Sequence, residues 1–355
     1  MSRRGASARA GREGREPRGG DAREGCEGGP ARRWRLVEAA EGRALLRALV
    51  PTGASELLRE ATGSKRSAAR VLAEGRASVL GAPLRPADAL RPGDVVEVTW
   101  GAPVAPAGER AAGPAAATPA PAATAPATGP DLLVLWEDPF ALAVEKPAGL
   151  LVHSDGTGAD TLTGRVRAHL AAAGSPAAGS AQALQRLDEE TTGVVLFSKA
   201  PDFQPAFDEL VAGHAMGKRY LAVVRGRLSG GPFELTGPIA RDRHDARRMR
   251  VGATGKPSLT RVLPVECRGG ATLVGCELGS GRRHQIRVHL SAAGHPILGD
   301  SLYGGGPGPL MLHALEESFA HPVTGAPVRV RTPWPARLLP AFPEREVGWD
   351  ALRGL

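Results

Sequence analysis

An Ala- and Pro-rich stretch divides this chain into two parts and limits how it can fold. Between residues 101 and 130, twenty of the thirty residues are Ala or Pro, and only Glu109 and Arg110 are charged. Pro-rich segments stay extended and semi-rigid, so the composition is typical of a linker. The sequence therefore predicts two folded units that move relative to each other, one at 42–100 and a larger one at 131–345.

The charge balance favours an acidic partner. The chain has 355 residues, 42% of them hydrophobic, which is enough for a sizeable core, and a formal net charge of +8. Arg outnumbers Lys, and the guanidinium group suits bidentate contact with phosphate. Nucleic acid is the first expectation. A high-GC coding bias, which enriches Arg, Ala, Gly and Pro, would explain the same composition. The two explanations are compatible with each other.

Cysteine usage and hydropathy exclude several classes of protein. The three cysteines, Cys26, Cys267 and Cys276, form no Cys-x-x-Cys pair, so neither a disulfide framework nor a zinc site is expected. No apolar run reaches the roughly 18 residues of a membrane span, and the N-terminus lacks a signal-peptide core. The sequence predicts a soluble cytoplasmic protein.

The N-terminal third combines a basic tail with a small α/β unit. Residues 1–41 are assigned to a disordered tail, because nine Arg and many Gly within the first 33 residues leave little to bury. Apolar spacing over 44–50 predicts a helix. A second helix, 68–74, is predicted with Ser64 or Ser67 as its N-cap, followed by strands at 77–80 and 95–98.

Four basic residues of this unit are candidate RNA contacts. They would meet phosphates and position RNA without reading its sequence. The alternative is an ordinary solvated helix face. These residues are Lys65, Arg66, Arg70 and Arg76.

The most informative stretch lies at 185–193. Arg186 and Asp188 stand two residues apart in a polar loop, and an apolar run, 194–197, follows at once. This pattern predicts a loop that carries one acid and one base into a buried strand, which is a rigid mount for a reactive side chain. Taken alone, it is more typical of a surface ion pair before a strand, since such pairs are common and weak.

A second stretch, 281–303, changes that interpretation. Together the two stretches resemble the pseudouridine synthases of the large-ribosomal-subunit (RluA-like) type. Residues 185–193 correspond to the family motif His-Arg-Leu-Asp-x-x-Thr-Ser-Gly. The later block corresponds to three family motifs in order: Gly-Arg-x-His-Gln-Ile-Arg-x-His-Leu, Gly-His-Pro-Ile and Gly-Asp-x-x-Tyr-Gly. Two positions depart from the pattern: Gln185 replaces His and Thr192 replaces Ser.

The resemblance also implies a fold and an N-terminal module. The strands and helices predicted from 131 onward fit an α+β catalytic domain, with a mixed, mainly antiparallel sheet and flanking helices. Residues 42–100 resemble the S-four-type RNA-binding domain, a small α/β module, through a basic helix start, Glu74-Gly75-Arg76 and a turn at 92–94.

The roles of four residues are implied by the resemblance. Pseudouridylation cuts a uracil from its ribose and rejoins it through carbon 5, and the family's catalytic carboxylate corresponds to Asp188. It would attack as a nucleophile or abstract the sugar 2′-proton, and both routes stay open. Arg186 or Arg287 would keep it ionised, and Arg186 would also enter the helix that the flipped base leaves. Tyr220 would stack on the uracil or accept a proton late in the reaction.

Other positions are expected to bind RNA or support the site. Gln185 would contact RNA near the flipped base. Because Gln cannot titrate near pH 7 as the family's His can, we expect catalysis to be retained and the choice of target to be altered. The basic loop 240–256, with Arg247 and Arg248, suits an RNA backbone, although a solvated loop is the alternative. Lys146 would hold backbone or a substrate phosphate, or belong to a purely structural turn.

Two other functions fit the sequence less well. A non-catalytic RNA-binding or ribosome-assembly protein would not need Asp188, and a carboxylate-pair glycosidase would want an aromatic-rich cleft. His284, His289 and His295 lack a zinc-type ligand set, so no metal is expected. The prediction is therefore an RNA uridine isomerase acting as a monomer without cofactor or membrane, on ribosomal RNA rather than transfer RNA.

Overall fold

The structure, a computed structural model, describes residues 32–101, 132–154, 156, 160–344 and 352. Residues 1–31 of the predicted tail and 102–130 of the predicted linker lie outside the described residues. From Arg33 onward, the described residues belong to one compact unit.

The N-terminal module is built from short strands and two helices. Its elements are β1 (Trp34–Ala40), β2 (Arg43–Ala48), β3 (Thr52–Gly53), α1 (Ala54–Thr62), α2 (Lys65–Ala73), β4 (Ala77–Val79), β5 (Ala82–Pro83), β6 (Ala89–Leu90) and β7 (Val95–Thr99). Five of the strands form one antiparallel sheet in the order β1-β2-β7-β4-β5, and β3 pairs with β6. The helix predicted after Ser64 is confirmed, because the Ser64 hydroxyl accepts a hydrogen bond from the Ser67 backbone.

Two predictions for this module are wrong. The segment with apparent helical spacing is strand β2, in which buried side chains alternate with more exposed ones and Ala44, Leu46 and Ala48 face the core. Strand β1 lies inside the range assigned to a disordered tail ending at residue 41. It is ordered because the buried ring of Trp34 anchors it and β2 pairs along its whole length.

The second part of the chain contains the larger sheet. Its elements are β8 (Val134–Glu137), β9 (Ala141–Lys146), α3 (Leu162–Ala172), β10 (Gln182–Ala183), β11 (Thr192–Ser198), α4 (Gln204–Ala212), β12 (Gly217–Arg225), β13 (Phe233–Leu235), β14 (Ile239–Arg241), β15 (Met249–Val251), β16 (Thr260–Arg268), β17 (Ala271–Leu278), α5 (Gln285–Ala292), β18 (Leu312–Ala320) and β19 (Pro327–Arg331).

This sheet is mixed and mainly antiparallel, as predicted. Its strand order is β13-β16-β17-β12-β18-β11-β9-β8, with β10 beside β11 and β19 beside β18. The β11–β18 pair is parallel and the other pairs are antiparallel. The short strands β14 and β15 form a separate hairpin, which contains the basic loop expected at 240–256. The chain is therefore an α+β protein.

The parallel crossing of β11 and β18 requires a glycine. Gly193 has φ +119°, and a Cβ atom there would lie 2.1 Å from the Ala314 carbonyl oxygen. Only glycine accommodates both the backbone angle and the contact. Because Gly193 follows the 185–192 loop directly, this close approach fixes where that loop enters the sheet.

The N-terminal module packs against the second part of the chain through aromatic side chains. The Trp100 ring stacks on Phe140 with 5.3 Å between centroids and meets the edge of Phe203 at 5.4 Å. All three side chains are buried within one hydrophobic cluster that includes residues of both parts. Such pairs add to the apolar burial that joins the two parts.

Buried ion pairs reinforce this contact. Asp202, whose side chain is 1% exposed, accepts hydrogen bonds from Arg70, at 2.6 Å, and from Arg76. Lys199, 2% exposed, donates to Glu41 at 2.8 Å and Glu137 at 2.7 Å. These contacts hold the two parts together, so the structure differs from the prediction that they move relative to each other. The composition of the linker could not reveal the contacts, because the residues that make them lie outside it.

Candidate active site

Asp188 lies in the loop that joins β10 to β11. Its side chain is 20% exposed, and its backbone carbonyl accepts a hydrogen bond from the Thr191 N–H at 3.1 Å, which closes a tight turn. Every residue of β11 is buried, so the turn is anchored at once in the sheet. The carboxylate is therefore mounted on a rigid strand start.

Arg287 connects Asp188 to a second carboxylate. It projects from α5 and donates through Nε and Nη2 to the two oxygens of Asp300, at 2.7 and 2.9 Å. Its remaining nitrogen, Nη1, donates to Asp188 Oδ2 at 2.9 Å. Burial lowers the pKa of Arg287, but the hydrogen bonds and charges of Asp300 and Asp188 outweigh burial and raise it above its usual value. The guanidinium stays charged and holds the Asp188 carboxylate in one orientation.

The four residues proposed for catalysis line one cavity. Arg186, Asp188, Tyr220 and Arg287 surround a cavity of about 70 Å³ that is also walled by apolar side chains, among them Ile286, Leu187 and Leu312. It shares Arg186, Asp188 and Tyr220 with a wider adjoining cleft of about 330 Å³. A small pocket that combines apolar walls with a few charged groups and adjoins a larger cleft is typical of a binding site.

Tyr220 and Arg186 differ in how firmly they are held. Tyr220 lies on β12 and is 9% exposed; burial, with the negative charges of Glu317 and Asp188, raises its pKa far above the usual value. It is thus a neutral phenol at neutral pH. Arg186 is exposed, and among the described residues no carboxylate pairs with it. Its guanidinium is free to contact a substrate.

Lys146 supports the loop from beneath. Its fully buried ammonium donates to three backbone carbonyls, those of Pro147 at 2.9 Å, Leu150 at 2.7 Å and Glu189 at 2.6 Å. Burial lowers its pKa to about 8. Of the alternatives left open by the sequence, the contacts match a residue that holds backbone, and one of the three carbonyls belongs to the residue after Asp188.

His284, which had no predicted role in the reaction, lies beside Asp188, and Tyr303 contacts His284 in turn. His284 Nε2 lies 3.7 Å from Asp188 Oδ1, and its Nδ1 lies 2.8 Å from the Tyr303 hydroxyl. The Tyr303 ring packs under the Arg287 and Arg248 guanidinium groups, at 5.2 and 5.4 Å from its centroid. Both residues belong to the second motif, so their spacing there was the available signal.

Gln185 lines the wider cleft and is held by a buried acid. Its side-chain amide donates to Glu317, which is 2% exposed. Burial raises the pKa of Glu317 to about 7, although the charge of Lys218 and the Gln185 hydrogen bond act against that rise. The structure thus pairs the non-titrating Gln185 with a carboxyl group that titrates near neutrality.

The remaining predicted RNA contacts lie on two other surfaces. Arg247 is exposed and pairs with Asp245 in the β14–β15 hairpin, where its carbonyl accepts from Arg283 at 3.3 Å. Lys65 and Arg66 are exposed at the start of α2. Arg70 and Arg76 instead bind Asp202, so their guanidinium groups join the two parts of the chain.

Two general features of the described residues bear on the kind of site. No helix within the described ranges combines the length and the apolar character needed to cross a membrane. In the same ranges, no cluster of three or more His, Cys, Asp or Glu side chains could hold a metal ion.

Comparison with known proteins identifies the family. A family model described as RNA pseudouridylate synthase matches residues 141–292. The uncharacterized RNA pseudouridine synthase YhcT of Bacillus subtilis is 34% identical over 212 residues, a match that spans 58% of this chain and 70% of that protein. The chain belongs to the RNA pseudouridine synthase family. It is therefore an isomerase that modifies RNA.

Further relatives of this pseudouridine synthase carry more specific names. The ribosomal large subunit pseudouridine synthase D of Xylella fastidiosa is 37% identical over 228 residues (58% of this chain, 66% of the relative). The ribosomal large subunit pseudouridine synthase C of Escherichia coli K12 is 36% identical over 215 residues (57% and 66%). Our pseudouridine synthase thus spans about two thirds of the length of these relatives.

A solved structure shows the same architecture. Human RNA Pseudouridylate Synthase Domain Containing 1 superposes with a TM-score of 0.50 at 27% identity, covering 60% of this chain and 86% of the human one. The α+β catalytic part of this pseudouridine synthase is thus shared with a known member of the family.

Proposed function

We propose that this pseudouridine synthase isomerises specific uridines in structured ribosomal RNA and that Asp188 is its catalytic group. The observation that carries the proposal is the state of the Asp188 carboxylate. Arg287 occupies Oδ2, whereas Oδ1 has no hydrogen-bond donor within 3.5 Å among the described residues. One oxygen is oriented and the other is left for the substrate.

The free oxygen suits either route to the product. The glycosidic bond between C1′ and N1 must break, a bond between C1′ and C5 must form, and the C5 proton must leave while N1 gains one. Asp188 would attack the ribose carbon as a nucleophile or take the 2′-proton as a base, and both steps use Oδ1. The apolar side chains of Leu187, Ile286 and Leu312 around it would limit the access of water, which would otherwise hydrolyse the cut intermediate.

The neighbouring side chains would deliver the base. The cavity is small, about 70 Å³, so the target uridine would have to leave its helix to enter it. The exposed, unpaired Arg186 would fill the place that the base leaves. The neutral Tyr220 would pack on the uracil ring and could exchange a proton with it as the new bond forms. Gln185, at the rim, would contact the neighbouring nucleotide and set target choice.

The substrate class is supported by charge and by the relatives. Two relatives at 36–37% identity are named for the large ribosomal subunit. Exposed cations on the β14–β15 hairpin and at the start of α2 would hold the RNA backbone. We assign 34–100 to an S-four-type RNA-binding module in which Lys65 and Arg66 contact phosphates. Ribosomal RNA also agrees with the cytoplasmic location and the monomeric state predicted from the sequence.

A tritium-release assay tests the proposal. The full chain is incubated with unmodified transcripts of large-subunit ribosomal RNA, small-subunit ribosomal RNA and transfer RNA, each containing uridine tritiated at carbon 5. We expect release from large-subunit RNA and a loss of roughly 10⁴-fold with Asp188→Asn, which keeps the shape but removes the charge. Equal release by the variant would exclude Asp188, and release from transfer RNA alone would overturn the substrate class.

A further inference from the structure

The hydroxyl of Tyr303 connects the basic hairpin to the catalytic loop. Its oxygen accepts a hydrogen bond from the Met249 N–H at 2.7 Å, at the start of β15, and lies 2.8 Å from His284 Nδ1. His284 Nε2 in turn faces Asp188 Oδ1 at 3.7 Å. Three contacts thus lead from the hairpin backbone to the oxygen that the proposed reaction uses.

His284 carries a single proton in this setting. Its side chain is 8% exposed, and burial lowers its pKa to about 4, although the charge of Asp188 acts in the opposite direction. A neutral imidazole has one N–H and one lone pair. Which nitrogen carries the proton therefore decides whether Asp188 meets a donor or an acceptor.

The surroundings select one tautomer. Burial raises the pKa of Tyr303, so the phenol keeps its proton. The Met249 N–H already points at its oxygen, and His284 Nδ1 is the acceptor that the described residues offer to its O–H. A proton on Nδ1 would leave that O–H without an acceptor and would turn the Nε2 lone pair toward a carboxylate oxygen. Both effects place the proton on Nε2.

We propose that His284 is a positioning residue for Asp188, presenting an Nε2–H whose tautomer and direction are fixed by Tyr303. At 3.7 Å the Nε2–H is too far for a full hydrogen bond, so Oδ1 stays available to the substrate while the donor limits its movement. Arg287 thus binds Oδ2 of the Asp188 carboxylate, and His284 faces Oδ1. This inference rests on the proposed role of Asp188.

The backbone at His284 supports a functional constraint. It is the residue before α5, with φ +55° and ψ +22°, a left-handed conformation that costs a non-glycine residue about 1 kcal/mol. Asn tolerates this region at least as well as His does, whereas Gln does not. A purely conformational role would therefore favour Asn, and a role that needs a donor near Nε2 would favour Gln, whose amide reaches that position.

This difference gives the decisive experiment. His284→Gln and His284→Asn are compared with the wild type by single-turnover tritium release from the preferred transcript, with binding measured separately by filter retention. We expect the rate to fall about 10-fold for Gln and about 100-fold for Asn, with RNA affinity unchanged. The same two substitutions at His295, whose ring Nδ1 lies 3.0 Å from the Arg225 carbonyl oxygen, serve as controls and should leave the rate unchanged.

Removal of the Tyr303 hydroxyl tests the second half of the proposal. Tyr303→Phe keeps the ring beneath Arg248 and Arg287 but releases the His284 tautomer. We expect about a 10-fold slower rate in the wild-type background. In the His284→Gln background the further loss should be under twofold, because an amide donor has no tautomer to fix.

The outcomes are separable from those of the proposed function. The reference reaction is established when the wild type releases tritium and the Asp188→Asn variant does not. If His284→Asn then equals or exceeds His284→Gln, or if Tyr303→Phe slows both backgrounds equally, the positioning role is wrong. If the wild type and Asp188→Asn are equally inactive on every transcript, the proposed function fails and the inference fails with it.

Discussion

Arg287 and Asp188 are 99 residues apart in the sequence and 2.9 Å apart in the structure, and a single guanidinium nitrogen joins them. The other two nitrogens are occupied by Asp300, whose side chain is fully buried. Asp300 thereby fixes the orientation of the Arg287 guanidinium, so that Nη1 points at the Asp188 carboxylate. The two long motifs of the sequence meet at this contact.

Replacement of Arg287 should separate positioning from charge. Lys keeps the positive charge but lacks the planar guanidinium that binds Asp300 with two nitrogens and Asp188 with the third, so Arg287→Lys is expected to lower the single-turnover rate about 100-fold. Arg287→Leu leaves the buried Asp300 carboxylate without its positively charged partner, which should cost about 3–5 kcal/mol in urea unfolding. Arg282→Lys is the stability control and should change it by less than about 1 kcal/mol. An Arg287→Lys enzyme with wild-type rate would contradict the role of the bridge.

Glu317 should make stability depend on pH. Its pKa is raised from 4.5 to about 7, so the folded state binds more protons than the unfolded state between these values. Its contribution is present below pH 4.5 and is lost as the pH rises through 7, for a total of about 3 kcal/mol. Glu317→Gln should remove most of this slope in unfolding measured from pH 5 to 8.5.

The neighbouring acid provides the control for that slope. Glu316 is also buried but pairs with Arg329 at 2.9 Å and with Arg331 at 2.5 Å. Glu316→Gln should lower stability at every pH without flattening the slope. An unchanged slope in Glu317→Gln would show that another group is responsible.

The contact between the two parts of the chain should depend on Asp202. Asp202→Asn leaves Arg70 and Arg76 without their shared carboxylate, and because Arg70 is 47% exposed the loss should be roughly 2 kcal/mol. We expect faster hydrogen exchange in α2 and β7, and unchanged exchange in β11. Asp208→Asn, at an exposed site on α4, is the matched control. Equal exchange in both variants would argue against the docked arrangement.

Gly193→Ala tests the crossing that places the catalytic loop. The new methyl group would overlap the Ala314 carbonyl, at 2.1 Å, in a backbone conformation that Ala disfavours. We expect a loss of at least about 4 kcal/mol or failure to fold. Gly179→Ala, with open space around it and no positive φ, should be neutral or slightly stabilising. A well-folded Gly193→Ala protein would contradict the close approach of β11 and β18.

Much of the architecture could be predicted because its signals are local. The apolar runs that became β4, β7 and β11 were predicted as strands, and Ser64 was a candidate cap for α2. Strand β2 was predicted as a helix because a short apolar run fits both the helical and the strand period. Its pairing with β7 makes it a strand. Helix α1 was missed, since its buried face depends on packing against α2 and α4.

The site was predictable in its parts but not in its connections. The motifs pointed to Asp188, Arg186, Tyr220 and Arg287, which the structure brings to one cavity. The second motif contains Asp300, Tyr303 and His284, but their roles also depend on contacts with the β14–β15 hairpin and with Asp188, which lie outside that motif. Likewise, Arg70 and Arg76 read as RNA contacts because their partner Asp202 lies more than 120 residues away.

The most direct test of the central claim is a pseudouridine map of cellular RNA from a strain that lacks this protein, complemented with the wild type or with Asp188→Asn. The account predicts that at least one uridine of large-subunit ribosomal RNA loses its modification in the deletion strain and regains it only with the wild type. Restoration of the mark by Asp188→Asn, or a map that is identical in all strains, would contradict it.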